Sequence, residues 1–413
     1  MQLPGADSVL IRHGELGTKS AQVQAKMERQ LADNLRQVLS REGIAATVRI
    51  EHGRIFVSTP SPQAVAHIAG ETFGVSSASP VRTASPTKES ITAALTAIAP
   101  DVYTSGSFAV RARRAGPKNA HPFTSNDLEE EIGSAIWQAV ESDFDPEVDL
   151  DTPDTTFFIE CRETNAYVFL SSYAGPGGFP YGTQGTVVPL ISGGTDSPVA
   201  VWEMMRRGCD VVPVYFDFES FGGVDHVARV IATTRRLASY TPSGELELVR
   251  LPIGEKVQTL IDTTHDTRML SLRRLMFALA GQIADSTDAI GLATGEAIGQ
   301  KSSQTGPNLA ATATATRYPI HRPLVNEDKE SIISKAKDIG TYTESRIDAG
   351  CNRIAPSFPQ TAGTVDEVVD AEPTELLSDL QSIIDRGETI TVSAPTGTEM
   401  SGTRVDNPGS IQS

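Results

Sequence analysis

The chain has 413 residues, 39% hydrophobic and 21% charged, a globular composition too long for one ordinary core, so two or three domains are expected. With 35 Lys and Arg against 52 Asp and Glu it carries a net charge of −17, an acidic surface of the kind that stays hydrated in concentrated salt. No run reaches the roughly 20 apolar residues of a membrane span, the N-terminal stretch has no basic-then-apolar leader, and Cys161, Cys209 and Cys351 form no CxxC pair. Those features argue against a membrane partner, a disulfide framework and a resident metal, and read as a cytosolic chain.

Residues 8–12, "SVLIR", read as a strand, and residues 20–43 as a helix with Val23, Met27, Leu31, Leu35 and Val38 in register and Gly43 as its stop. "ATVRIEHGRIFVST" alternates as a hairpin around His52-Gly53, followed by a short helix at 62–70 and a strand at 74–83. The order βαββαβ is that of a ferredoxin-like sandwich, assigned to residues 1–80. A second α+β unit is assigned to 81–172. It has a helix at 86–100, a strand in "GSFAVRARRAG", and a helix at 125–140 opened by Ser-Asn-Asp with Ile132, Ile136, Trp137 and Val140 on one side. A hairpin over 155–172, turning near Asn165, completes it. Between Asp101 and Asp127 there is no acidic residue, yet Arg111, Arg113, Arg114, Lys118 and His121 all fall there. A basic island on so acidic a chain suits contact with a phosphate backbone.

"YAGPGGFPYGTQG", residues 173–185, reads as the hinge into a third unit assigned to 173–395. From Thr186 the pattern alternates, with strands at 187–191, 211–216, 246–251 and 289–293 and helices between them. That is an open, mostly parallel α/β sheet, with ligands expected at the strands' C-terminal ends. The amphipathic "TELLSDLQSIIDRG" and the strand "TITVSA" complete it, and residues 396–413 read as a disordered tail.

The stretch "VVPLISGGTDSPVAVWEMMRRG", residues 187–208, joins a strand, a glycine turn and a helix N-terminus, which is a cradle for an anion. No Lys follows the glycines, so it is not the GxxxxGK[ST] loop. SGGxDS after a strand resembles the pyrophosphate loop of enzymes that cleave ATP between the α and β phosphates. In this reading Leu190 and Ile191 lead into the site, and Ser192, Gly193, Gly194 and Ser197 hold the departing pyrophosphate. Asp196 sits beside Mg²⁺ or beside a donor that it orients. Downstream, "GLATGEAIGQKSSQT" brings Gly295 and Gln304 to the same pocket, and Phe216, Asp217 and Phe218 end the second strand on its adenine side. The helix "TRMLSLRRLMFALAGQIA" adds Arg273 to the ATP site, with Arg268 and Arg274 either solvated or phosphate-facing. Cys351 lies in an irregular loop near Arg346 and Arg353, whose charge would favour the thiolate, the form that accepts and delivers sulfur. Cys209 reads as packing, and Cys161 as packing or surface.

Six blocks in one order carry a wider resemblance: "RHGELGTKS"; "FAVRARRAG…HPFTSNDLEEEIGSAI" with "VDLDTPDTTFFIECRE"; "GPGGFPYGTQGTVVPLISGGTDSPVA"; "TGEAIGQKSSQT"; "HRPLVNEDKESIISKAKDIGTY"; and the Cys351 loop. Over almost its full length the chain resembles the tRNA 4-thiouridine synthetases (ThiI-type tRNA uracil 4-sulfurtransferases), as a haloarchaeal member. The resemblance implies a ferredoxin-like N-terminal domain, a tRNA-binding THUMP domain and a PP-loop ATP pyrophosphatase domain. Asp196 and Cys351 then match the family's essential acid and its sulfur-transferring cysteine. ATP with Mg²⁺ would adenylate O4 of a uridine in tRNA (uridine 8), and a persulfide sulfur on Cys351 would displace AMP. The implied partners are tRNA and a sulfur donor, either a cysteine desulfurase or sulfide, and a homodimer is compatible with both. The rhodanese-like domain with a second cysteine that some members carry is not expected after residue 395, which leaves Cys209 or Cys161 to resolve the persulfide. Three alternatives stay open. An amidating ATP pyrophosphatase or another tRNA-modifying ligase would need neither Cys351 nor a THUMP-like half. A tRNA-binding adaptor with an inactive ATP site would have no use for an intact SGGTDS. Thiolation at C2 usually goes with paired cysteines.

Overall fold

Five consecutive buried residues make β1 (Ser8–Arg12) the strand around which the N-terminal half assembles. The computed structural model describes residues 2–51, 53–117, 120–222, 225–343 and 354–395. They divide into two units between Gly178 and Phe179.

In the first unit α1 (Ala21–Arg41), β2 (Thr47–Glu51), β3 (Arg54–Ser58), α2 (Pro62–Ala69) and β4 (Ser77–Ala84) follow β1 and complete the expected βαββαβ order. Next come α3 (Lys88–Thr96), α4 (Ala99–Val102), β5 (Ser107–Arg114), α5 (Ser125–Val140), β6 (Glu147–Val148), β7 (Thr155–Cys161), β8 (Ala166–Phe169) and β9 (Tyr173–Ala174). The strands form one sheet in the order β2-β3-β1-β4-β8-β7-β5-β6, with β9 beside β4. β4 fuses the two halves, because residues 77–81 pair with β1 and residues 82–84 with β8. An aromatic cluster of Leu10, Phe56, Val81, Phe158, Tyr167 and Phe169 spans that seam. A buried ion pair between Arg12 and Glu160 (3.1 Å) crosses it as well.

Two expectations change here. The helix at 86–100 is two helices, since Pro100 has no N–H to continue the ladder. The cap of α5 is Thr124, whose hydroxyl accepts from the Asp127 N–H while the Asp127 carboxylate accepts from the Thr124 N–H. Leu128, Ile132, Ile136 and Val140 form its buried stripe, and Trp137 lies outside it, donating to Glu141.

The second unit runs β10 (Thr186–Ile191), α6 (Asp196–Arg206), β11 (Asp210–Val211), β12 (Val214–Asp217), α7 (His226–Ala238), β13 (Glu245–Pro252), α8 (Gly254–Thr263), α9 (Arg268–Ser286) and β14 (Gly291–Ala293). After these come α10 (Gly306–Ala313), β15 (Ile320–His321), α11 (Lys329–Asp338), α12 (Val365–Ala371), α13 (Leu380–Asp385) and β16 (Glu388–Ser393). The sheet order is β15-β14-β10-β12-β13-β16, with β11 beside β10. Every pairing is parallel except β13 with β16, as the alternating pattern predicts. The strand expected at 211–216 is broken in two at Pro213, which cannot donate to the ladder. α13 takes only the end of the amphipathic run, starting after Asp379 in the left-handed conformation (φ 51°). β14 and β12 flank β10 on opposite sides: the chain runs from β10 to β12 and β13 and then returns to β14 and β15 on the other side, which puts a topological switch point beside the C-terminal end of β10. No helix among the described residues is long and apolar enough to cross a membrane.

Candidate active site

The cleft opens where the topology directs it, beyond the C-terminal ends of β10, β12 and β14. One wall is the loop from β10 into α6. Within it the Ser192 N–H donates to Ser197 Oγ (2.9 Å), the two hydroxyls lie 3.0 Å apart, and the Gly194 N–H donates to Ser192 Oγ (3.3 Å). These bonds lock the loop so that the first turn of α6, with its positive dipole end, faces the cleft. Gly295 presses against that turn. A Cβ there would lie 2.7 Å from both the Asp196 carbonyl carbon and the Ser197 nitrogen, so only glycine fits.

Leu190, Ile191, Ser192, Gly194, Asp196 and Ser197 all line the cleft, as expected, and so do Phe216, Phe218, Arg273, Gly295 and Gln304. Phe216, Phe218 and Leu272 belong to one core cluster against which Met269 and Met276 pack, and all five line the cleft, apolar surface suited to a planar base. Ser192, Ser197, Asp196, Arg273 and Gln304 supply polar groups to the same lining. Gly193 is not among the lining residues but backs onto His226, which is. Asp217 is a correction. Its carboxylate accepts from Arg250 Nε and Nη2 (2.9 and 2.5 Å) and from the Glu219 N–H (2.8 Å), so it braces the neighbouring strand instead of lining the pocket.

Of the two partners expected for Asp196, the described residues supply the donor. Lys329 Nζ lies 2.5 Å from Asp196 Oδ1, at the start of α11. Lys329 sits in a block recognised from sequence, but 133 residues of separation hid its partner. Glu296 and Lys301, inside the block "GLATGEAIGQKSSQT" but given no role of their own from sequence, also line the cleft, as does His226, which carried no sequence signal. The three arginines of α9 divide: only Arg273 faces the cleft. Arg274 is buried against Glu372 (2.6 Å), and Arg268 donates to the carbonyls of Leu260, Ile261, Thr264 and Ile354.

Cys351, like Arg346 and Arg353, lies outside the described residues. The other two cysteines are poor candidates for the resolving thiol. Cys161 is buried under His121, 3.7 Å from its Nε2, and burial pushes its thiol up to about 11. Cys209 is buried, its thiol also raised by burial. It precedes β11, which pairs with the first residues of β10, at the end of the sheet opposite the cleft.

In the basic island of the first unit, Arg111 and Arg113 are exposed on alternate positions of β5, with Arg111 donating to the Leu150 carbonyl. Arg114 is tied to the Phe123 carbonyl (2.5 Å). His121 is a second correction: it is buried and stacked on Phe123, not presented to a phosphate. Lys118 lies outside the described residues.

A cleft walled by a pyrophosphate-type loop, in a chain that also carries a THUMP-like α+β unit, defines the class of ATP-using RNA-modifying enzymes. The comparisons with known proteins are specific. Residues 8–79 match the ThiI ferredoxin-like domain, 86–171 the THUMP domain, and 182–377 the family described as thiamine biosynthesis protein (ThiI). A protein of Halobacterium salinarum named "Probable tRNA sulfurtransferase" is 48% identical over 373 residues, covering 90% of this chain and 94% of that relative. One of the same name from Methanosarcina acetivorans is 36% identical over 365 residues, covering 87% and 88%. Among solved structures, a 4-thiouridine synthetase–RNA complex with bound ATP superposes with a TM-score of 0.80 at 26% identity, covering 94% of this chain and 100% of that one. The chain belongs to the ThiI family of tRNA sulfurtransferases.

Proposed function

We propose that the chain is a tRNA uracil 4-sulfurtransferase that converts uridine 8 to 4-thiouridine, using ATP to activate the nucleobase oxygen and Cys351 to carry the sulfur. The observation that carries the reading is the cleft itself. It brings apolar side chains fit to pack on a base together with a helix N-terminus, Ser192, Ser197, Asp196 and Arg273 in one lining. Uracil O4 attacks the α-phosphorus, and pyrophosphate leaves toward the N-terminus of α6, where the loop N–H groups and hydroxyls receive it. Asp196 pairs with Lys329 beside the cleft, and its carboxylate would hold the Mg²⁺ that accompanies the nucleotide. When bound, that ion neutralises phosphate charge. The terminal sulfur of a Cys351 persulfide then attacks C4, and AMP departs with the former O4. An external thiol attacks Cys351 Sγ, which releases 4-thiouridine and leaves a mixed disulfide on Cys351. Sulfide attacking that Sγ expels the thiol and restores the persulfide, or a further thiol reduces the disulfide and the persulfide of a cysteine desulfurase reloads the free cysteine. The first unit would hold the tRNA backbone through Arg111 and Arg113.

Family membership and the paired ATP and THUMP halves disfavour the amidating and adaptor alternatives. Purified protein incubated with tRNA, ATP, Mg²⁺, a thiol reductant and a cysteine desulfurase with cysteine should yield 4-thiouridine by nucleoside mass spectrometry, with one AMP and one pyrophosphate per base. Asp196→Ala should lower that yield by about 10²–10³-fold while leaving tRNA affinity nearly unchanged. Thiolated tRNA at the wild-type rate from the variant would overturn the role of Asp196. Undiminished thiolation without ATP would overturn the reading as a whole.

A further inference from the structure

Glu296 lies in the wall of the cleft, directly after Gly295, and is only 1% exposed. A buried carboxylate facing a site for a polyanion is costly unless something fixes and offsets its charge. Here two cations do so from two other elements. Arg322, just beyond β15, donates through Nε to Glu296 Oε2 (2.9 Å), and Arg273 of α9 places its Nε 3.4 Å from Glu296 Oε1. Thr294 donates its hydroxyl to Oε2 (3.0 Å) and accepts the Glu296 N–H (3.2 Å). Oε2 is thereby saturated. Oε1 has no hydrogen-bond partner among the described residues and faces Arg273 alone. The three charges sum to +1, and of the two guanidinium groups only that of Arg273 lines the cleft.

We propose that Glu296 is a positioning residue for adenylation: its buried carboxylate, held by Arg322 and Thr294, sets the guanidinium of Arg273 against the phosphates of ATP. Arg322 neutralises the carboxylate so that Arg273 keeps its full charge for the anion. The 3.4 Å approach is an ion pair that tightens when a nucleotide draws the guanidinium into line. The inference rests on the reading of this cleft as the ATP site. Glu296→Gln keeps the shape and the hydrogen bond to Thr294 but leaves two like charges in one wall with no anion between them. Arg273 then remains cationic but loses its fixed orientation, so attraction to ATP survives while alignment in the transition state does not.

The test is a double-mutant cycle on AMP formation with saturating tRNA, with thermal melting of each variant as a control for folding. Glu296→Gln should lower kcat about 10²-fold with the KM for ATP changed by less than about threefold, and Glu296→Asp should recover part of the loss. In an Arg273→Ala background, Glu296→Gln should cost nothing further, because the group through which it acts is gone. Three results would overturn the proposal: losses that multiply across the two sites; wild-type kcat and KM for the folded fraction of Glu296→Gln; or wild-type kinetics for Arg273→Ala. Only the last also removes Arg273 from the ATP site, so failure of the positioning role and failure of the cleft reading are told apart.

Discussion

At the scale of single residues, chemistry-bearing types were legible from sequence where a motif surrounded them, and their partners were not. Ser192, Gly194, Asp196 and Ser197 come from one contiguous loop, and the structure lines the cleft with all four. Asp217 closes a strand of the same sheet, yet Arg250 claims its carboxylate, and nothing in the local sequence announces an arginine 33 residues on. His121 illustrates the converse error. Its basic neighbours made it look like part of a surface, whereas Phe123 and Cys161 take it into the core. The thiols carry a prediction at this scale. With its pKa raised from 9.0 to about 11, Cys161 is thiolate in only about one molecule in a thousand at pH 8. The sign follows from burial, which disfavours the anion, so reactivity appears only as pH climbs toward 11. Iodoacetamide labelling of the native protein at about pH 8, read by peptide mass spectrometry, should modify Cys351 while Cys161 and Cys209 stay protected until the chain is unfolded. Rapid native labelling of either buried cysteine would restore it as a resolving thiol.

At the scale of elements, periodicity located the longer strands and the helices of the first unit, while α10, α11 and α12 were not assigned from sequence. Two departures have local causes, since Pro100 divides one helix and Pro213 one strand. The two-residue strands β6, β9 and β15 escaped because so short a segment has no period to read. The close approach of the β14 loop to the start of α6 was invisible for another reason, since it is a matter of packing distance. It makes Gly295 the most stringent glycine of the site. Gly295→Ala would push the first turn of α6 away from β14, because the new methyl would stand 2.7 Å from backbone atoms that cannot rotate aside. Displacing the pyrophosphate cradle by even about 1 Å should cost roughly 10²-fold in AMP formation, with little change in tRNA affinity. An alanine variant with normal kinetics would mean that the loop does not hold the phosphates.

At the scale of the whole molecule, the order of the parts was readable because ferredoxin-like, THUMP and ATP-binding patterns follow one another along the chain. What the sequence did not disclose is that the first two share a single sheet through β4 and a buried cluster in which Glu160 pairs with Arg12 and Arg162 (3.1 Å each). Partners 148 residues apart leave no local trace. Reversing Arg111 and Arg113 together should weaken tRNA binding most at low salt. The slope of log K against log salt should fall by about one for each backbone phosphate that the variant no longer neutralises. Unchanged affinity and slope would place the RNA on another face. The central claim is that the nucleobase oxygen leaves on AMP. It is tested most directly with tRNA labelled with ¹⁸O at O4 of uridine 8, incubated with ATP, Mg²⁺ and a persulfide donor. One ¹⁸O is expected in the phosphate of AMP for each 4-thiouridine formed, and label found in pyrophosphate or released to water would contradict the claim.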